Sequence, residues 1–372
     1  AHLEAVEEAS AELQALRLRI RVEAGERRGV LRSARRLARD NPGDPAVGLA
    51  LAQAALAARE SRLAVDTLER TVAAAPTDPE VHYMLGRAQR ALADADAAEA
   101  AFARTLELNP SFTDASVELG YLLLDTGQWE RAEALFAPLA RRRILTGRDY
   151  ALIGRLGQVE ALLGLGAIDD AKVQLGRVRE GQRELGSVKR IEARVALADG
   201  RPGDAVRAVR ALAEAEGAPV DVRVLFGDAL YAAGETLPAS AAYEGALADD
   251  PAHPEALLGF ATVLIRGEKY DEATGVLERA AAALTERIRP PALRARLKYL
   301  EGRAALGAED LATARESLEA ATALTGVPPE AFFYLGEALS ETNAREARAA
   351  YQQYLEREQD GALANRARRA IR

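Results

Sequence analysis

The residue types that do most protein chemistry are scarce in this chain of 372 residues. It has three histidines, His2, His82 and His253, and no cysteine. Thiolate nucleophiles, disulfides and thiolate metal sites are therefore excluded, although an oxidising compartment is not. No histidine has a second ligand at helical spacing, so no zinc-type site is expected. His2 lies at the chain end, His82 among apolar residues and His253 in a proline-flanked turn, where structural roles are the plainer reading. Gly164-Leu165-Gly166 is a lone G-x-G without the preceding strand that a dinucleotide site requires. No P-loop or nucleophile elbow occurs. The many Glu and Asp residues suit solvation of surface helices better than paired acid–base work. The expectation is a chain without catalytic residues, metal or cofactor.

Charge offers a second kind of chemistry. Arg28, Arg32, Arg35 and Arg39 recur at helical spacing, with Arg27 and Arg36 beside them. Such a stripe can face an acidic protein, anionic lipid headgroups or nucleic acid. Glu23, Glu26 and Asp40 offset it, and no aromatic residues are interleaved, so a solvated helix face is the plainer reading. The net charge of −8 also speaks against general nucleic-acid binding. Arginine outnumbers lysine 45 to 4, which suggests a GC-rich bacterial gene.

The elements that carry these residues are set by a period. Ala64, Ala98 and Ala132 are spaced 34 apart, as are Ala171, Ala205, Ala239 and Ala273. Val30 precedes this series, and Ala314 and Ala347 continue it with small changes of phase. Self-similarity at this length marks stacked supersecondary units, because one such unit cannot bury its apolar face alone. Alanine and leucine are abundant and β-branched runs are missing, so the predicted class is all-α. No run of 18 apolar residues exists, so no membrane span is expected. The opening AHLEAVEEAS is acidic and unlike a signal peptide, and the only methionine is Met84. A processed product or an excised segment is the expectation, in the cytoplasm or periplasm of a bacterium.

The stretch from Pro79 to Phe112 shows the unit most clearly. Asp78-Pro79-Glu80 reads as an N-cap, a proline at N1 and an acid in the first turn. A first helix runs through Leu85-Gly86 and breaks near Ala93-Asp94. A second carries Ala98, Phe102 and Leu106 and stops at Asn109-Pro110. The small residues let two helices approach to about 8–10 Å. Gly25, Gly127, Gly166, Gly200 and Gly234 fall where the chain turns back.

This pattern resembles the tetratricopeptide repeat, which places Leu-Gly early in the first helix, then Ala, an aromatic residue and Pro. Here these are Leu85-Gly86, Ala98, Phe102 and Pro110, although His82 and Thr105 depart from it. Leu119-Gly120, Trp129, Ala132 and Phe136 fit the next unit, and Phe226-Gly227, Ala239, Tyr243, Ala246 and Pro251 a later one. Leu335-Gly336, Ala347 and Tyr351 fit the last. Units are expected to begin near residues 11, 45, 79, 113, 152, 186, 220, 254, 295 and 329. They form an array over 1–361, closed by a capping helix over 362–372. Insertions around PLARRRILTGRDYA and LTERIRPPALRARL read as longer helices or loops; alternatively they bend the array, or Arg141-Arg142-Arg143 docks an acidic partner.

The resemblance implies a right-handed α-solenoid of about ten antiparallel helix pairs that acts as a scaffold or adaptor. It further implies that the first helices line a concave groove for a peptide or protein. Residues at the family's groove positions are Tyr83, Arg87 and Arg90, then Asp114, Tyr121 and Asp125, then Glu160, Arg190 and Arg194. Further along come Asp221, Asp228, Tyr231, Arg296, Tyr299 and Arg303, then Glu330, Phe333 and Glu337. The Lys and Asn of the chaperone-binding carboxylate clamp are missing, as is the asparagine ladder of glycosyltransferase arrays. Two rival readings stay open: a docking or sensor module of a larger enzyme lying before Ala1, and an anionic-surface binder acting through the arginine stripe.

Overall fold

The computed structural model describes residues 10–27, 29–142, 148–285 and 290–372. The 21 α-helices found among them run mostly as consecutive pairs, closed by a single last helix, with no strand among the described residues. The chain divides into two compact units, Ala1–Gly157 and Gln158–Arg372.

In the first unit α1 (Ala11–Glu23) precedes α2 (Val30–Asp40), and α3 (Pro45–Ala57) precedes α4 (Ser61–Ala74). Next come α5 (Pro79–Ala91) with α6 (Ala95–Leu108), then α7 (Thr113–Asp125) with α8 (Trp129–Ala140). Helix α9 (Tyr150–Gly164) carries the boundary. The second unit holds α10 (Ile168–Gly176), α11 (Gly186–Ala198) with α12 (Pro202–Ala213), and α13 (Val220–Ala232) with α14 (Thr236–Asp249). It continues with α15 (Pro254–Arg266) and α16 (Tyr270–Thr285), α17 (Pro291–Gly307) and α18 (Leu311–Thr322), and α19 (Glu330–Leu339) and α20 (Ala344–Arg357). The last helix is α21 (Ala362–Ala370).

Local chemistry starts several of the helices. The Asp44 side chain accepts from the Ala46 and Val47 amides ahead of Pro45, and Asp78 accepts from Glu80 ahead of Pro79. Asp94, Asp310 and Asn343 cap α6, α18 and α20 in the same way. The turn inside most pairs uses one left-handed residue. Gly127 supplies it at φ 75°, as the sequence predicts, but Arg59, Ala93, Glu268 and Glu309 adopt φ of 60–62° at the matching place. In α15 the available glycine, Gly267, stands one residue too early.

Packing between helices rests on glycine against a ring. A Cβ on Gly86 would lie 2.7 Å from Phe102, and one on Gly120 would lie 2.5 Å from Phe136. Gly227 and Gly336 stand in the same relation to Tyr243 and Tyr351, each at 2.7 Å. Aromatic rings therefore sit where a side chain would otherwise hold the helices apart. Helix α21 closes the last pair by burying Ala364 and Ala367 against the cluster of Phe333, Tyr351 and Tyr354, while Arg366 stacks over Phe333 and pairs with Glu337 at 2.7 Å.

Two features of the helix rows bear on binding. First helices of successive pairs touch one another: α1 with α3, α3 with α5 and α5 with α7 in the first unit. In the second unit α11, α13, α15, α17 and α19 do likewise, whereas neighbouring second helices make no comparable contact among the described residues. Side chains on consecutive first helices are thus brought together. Separately, α1 exposes Leu13, Leu16 and Ile20 at 41%, 50% and 54%. The equivalent residues of α3, Val47, Ala50 and Ala54, are buried in a cluster with Val30, Ala34 and Leu37 of α2.

The second insertion is flanked by long helices, since α16 has 16 residues and α17 has 17. Arg143 and the centres of both insertions lie outside the described residues, as do His2 and Arg28. Helix α2 starts at Val30 after a left-handed Gly29, so Arg27 precedes the helix rather than joining its stripe.

Candidate functional site

In the first unit the first-helix row presents Tyr83 and Arg87 on α5. The Arg87 guanidinium stands 5.7 Å from the Tyr83 ring centre, and that ring lies 4.9 Å from Phe112 and 6.1 Å from Phe102. Burial pushes the Tyr83 phenol up to about 12; Arg87 opposes this, while Glu118 and Asp114 add to it. Arg90 is engaged internally. It donates to Glu118 and Asp125 of α7, both at 2.7 Å, and so ties α5 to α7. Tyr121 is half-buried, edge-on to Phe136 at 5.4 Å. Asp114 accepts from Arg148 at 2.9 Å and from the Tyr150 hydroxyl at 3.1 Å. Arg19 of α1 reaches across α3 to pair with Glu80.

In the second unit Glu160 and Arg194 pair at 2.9 Å. Arg190 is half-buried on α11 and forms no ion pair among the described residues. Asp228 faces inward: Tyr243 donates its hydroxyl to it at 2.7 Å. Burial drives the Asp228 carboxyl above its usual range, with Arg296 opposing. Tyr351 donates to Glu337 at 2.7 Å in the same arrangement. The pairing follows a rule: where the second helix carries tyrosine the first helix supplies an acid, and where it carries phenylalanine the equivalent residue is Arg87 or Tyr121. Asp221 accepts from the Nε2–H of His253 at 2.9 Å, while the His253 Nδ1 caps α15 by accepting from Ala256. His82 is held by its Nε2 against the Pro76 carbonyl at 2.9 Å. Phe333, expected in the groove, is fully buried.

The richest cluster lies on α13, α15, α17 and α19. Arg266 stands 5.3 Å over Tyr231, and Arg303 stands 4.3 Å over Tyr334 and 5.8 Å over Tyr299. Arg303 donates to the Tyr299 hydroxyl at 3.1 Å, and burial raises that phenol to about 12. Sequence reasoning did not single out Tyr334 or Arg266. Arg266 is visible in hindsight, since it ends its first helix where Arg90 and Tyr231 nearly end theirs.

On the outer side Arg32 and Arg39 are exposed, whereas Arg35 pairs with Glu60 and Arg36 lies 3.8 Å from Asp40. No group of three His, Asp or Glu residues among the described residues is placed to hold a metal ion. No described helix is long and apolar enough to cross a membrane.

Two tetratricopeptide-repeat family models match the chain, one over residues 83–144 and 299–356, the other over 21–88 and 239–297. No curated protein matches it in sequence. Its fold is similar to a chain of the APC/C hetero-tetramer Cut9–Hcn1, at 11% identity and a TM-score of 0.53, over 100% of this chain and 98% of that one. It is also similar to a tetratricopeptide repeat protein from Parabacteroides merdae ATCC 43184, at 14% identity and a TM-score of 0.55, over 64% of this chain and 93% of that one. Both are likenesses of fold. With glycine-and-ring packing repeated along consecutive helix pairs and both models matching in two places, the chain belongs to the tetratricopeptide-repeat family.

Proposed function

We propose that this chain is a non-enzymatic scaffold or adaptor that binds a peptide or protein along the first-helix rows. The single observation that carries the reading is the placement of ring–guanidinium pairs on those helices: Tyr83 with Arg87, Tyr231 with Arg266, and Tyr299 with Arg303. Tyrosine and arginine are among the side chains most enriched at binding hot spots: the tyrosine ring offers a large rigid contact area, and the guanidinium offers several directed donors. Helices held rigid by core packing present them already ordered, which reduces the cost of association. The family supports a protein-binding role in general, and Tyr83, Arg87, Tyr121, Tyr231, Tyr299 and Arg303 are the proposed contacts.

The test uses a partner co-purified with the full chain. A photo-crosslinking residue placed at Tyr83 or Tyr299 is expected to label the partner, and one at Arg32 or Arg39 is not. Replacing Tyr83 and Tyr121 together by Ala is expected to weaken binding by about 2 kcal/mol or more in calorimetry. Labelling confined to Arg32 and Arg39, with full affinity in the tyrosine variant, would overturn the reading in favour of the outer stripe.

A further inference from the structure

Cations on the first-helix rows are of two kinds. Arg19, Arg90 and Arg194 each meet carboxylates of the chain itself: Glu80, then Glu118 with Asp125, then Glu160. Arg266, Arg296 and Arg303 form no ion pair among the described residues, and they lie on the adjacent helices α15 and α17. Arg303 is the most telling. It is only partly exposed and packed over two rings, yet among the described residues its one hydrogen bond goes to the Tyr299 hydroxyl. A guanidinium has five donors, and ring faces attract a cation without neutralising it. Phenols of Tyr299, Tyr334 and Tyr231 oppose the desolvation of this cation, but no carboxylate among the described residues pairs with it.

The three cations sit in one neighbourhood. Arg296 reaches Thr262 of α15 at 3.5 Å, and Tyr231 of α13 lies within electrostatic reach of Arg303 on α17. Asp228 also lies near Arg296, but its carboxylate accepts from Tyr243. Tyr334 extends the patch onto α19. We propose that Arg266, Arg296 and Arg303, with the rings of Tyr231, Tyr299 and Tyr334, take an acidic segment of a partner protein. Its Glu or Asp carboxylates accept paired N–H donors from the guanidinium groups, and its apolar side chains rest on the rings. The overall charge of −8 favours such a local, geometry-bound site over a polyanion, whose binding needs a broad basic footprint. This inference rests on the scaffold reading and names the chemistry of its partner.

The experiment titrates the full chain by fluorescence anisotropy with a labelled peptide of alternating Glu and Phe. The comparison probes are its Gln-for-Glu counterpart and a single-stranded oligonucleotide. The Glu peptide is expected to bind on the order of tenfold tighter than the Gln peptide, with the advantage shrinking as salt rises. Arg303→Met and Arg266→Met should each lose about tenfold for the Glu peptide while melting as the unmodified chain does, and Arg90→Met serves as the first-unit control. Equal binding of Glu and Gln peptides, no binding of the Glu peptide, or unchanged affinity in both variants overturns the acidic assignment. Tighter binding of the oligonucleotide reassigns the patch to nucleic acid. If the Gln peptide binds equally well but Tyr231→Ala and Tyr299→Ala abolish it, the scaffold reading stands and only the acidic preference fails.

Discussion

The Tyr243 hydroxyl donates to the Asp228 carboxylate at 2.7 Å, tying the core ring of α14 to the first-helix row on α13. This bond holds a carboxyl whose burial raises its affinity for a proton above that of the free side chain, for which 3.8 is the ordinary value. Protons therefore bind the folded form more tightly than the unfolded one, so this group's contribution to stability falls as pH rises above 3.8. Asp228→Asn keeps an acceptor for Tyr243 and removes the buried charge. Its melting temperature relative to the parent is expected to improve from acid to neutral pH. A constant difference across that range would refute the assignment.

Glycine beside a ring gives a second prediction. Gly86→Leu must push against Phe102 or part the helices, at a cost of roughly 1–3 kcal/mol. Gly245 on α14 has nothing within 4 Å of an added Cβ, so Gly245→Ala is expected to gain about 0.5–1 kcal/mol through helix propensity. Denaturant unfolding monitored by circular dichroism measures both, and opposite signs are required.

The left-handed turn residues give a third. Ala93 holds φ 60° where Gly127 holds 75° in the next pair. A Cβ in that region costs roughly 1–2 kcal/mol, and part of the relief on substitution is lost to the freer unfolded chain. Ala93→Gly should therefore stabilise by about 0.5–1 kcal/mol, and Gly127→Ala should destabilise by about 1 kcal/mol. Equilibrium unfolding of the two variants would have to move in these opposite directions.

The open face of α1 gives a fourth. Leu16→Ser removes a half-exposed side chain and is expected to change stability by within about 0.5 kcal/mol. Val47→Ser, at a buried position of α3, should cost about 2 kcal/mol or more, because it opens a gap and buries a hydroxyl beneath α2. Comparable losses in thermal melts would mean that the α1 face is covered in solution.

Much of the fold was legible because its causes are local and repeated. Asp78-Pro79 starts α5, Asn109 ends α6, and Ala98 with Gly86 lets those helices meet, each through residues close in sequence or one period apart. Periodicity exposes such contacts because identical environments select identical residues. The helix-pair architecture and the family therefore follow from the sequence alone. Which first-helix side chains point to solvent did not follow, since that depends on partners elsewhere in the chain. Asp228 and Phe333 occupy positions like those of exposed residues, but Tyr243 and the terminal aromatic cluster draw them inward. Arg90 and Arg303 read alike as free cations, and only packing separates them. Two carboxylates from α7 neutralise the first, while the second is left on the rings of α17 and α19 with no carboxylate partner among the described residues. Charge pairing acts over a few ångströms between helices, a distance that spacing along the sequence does not encode.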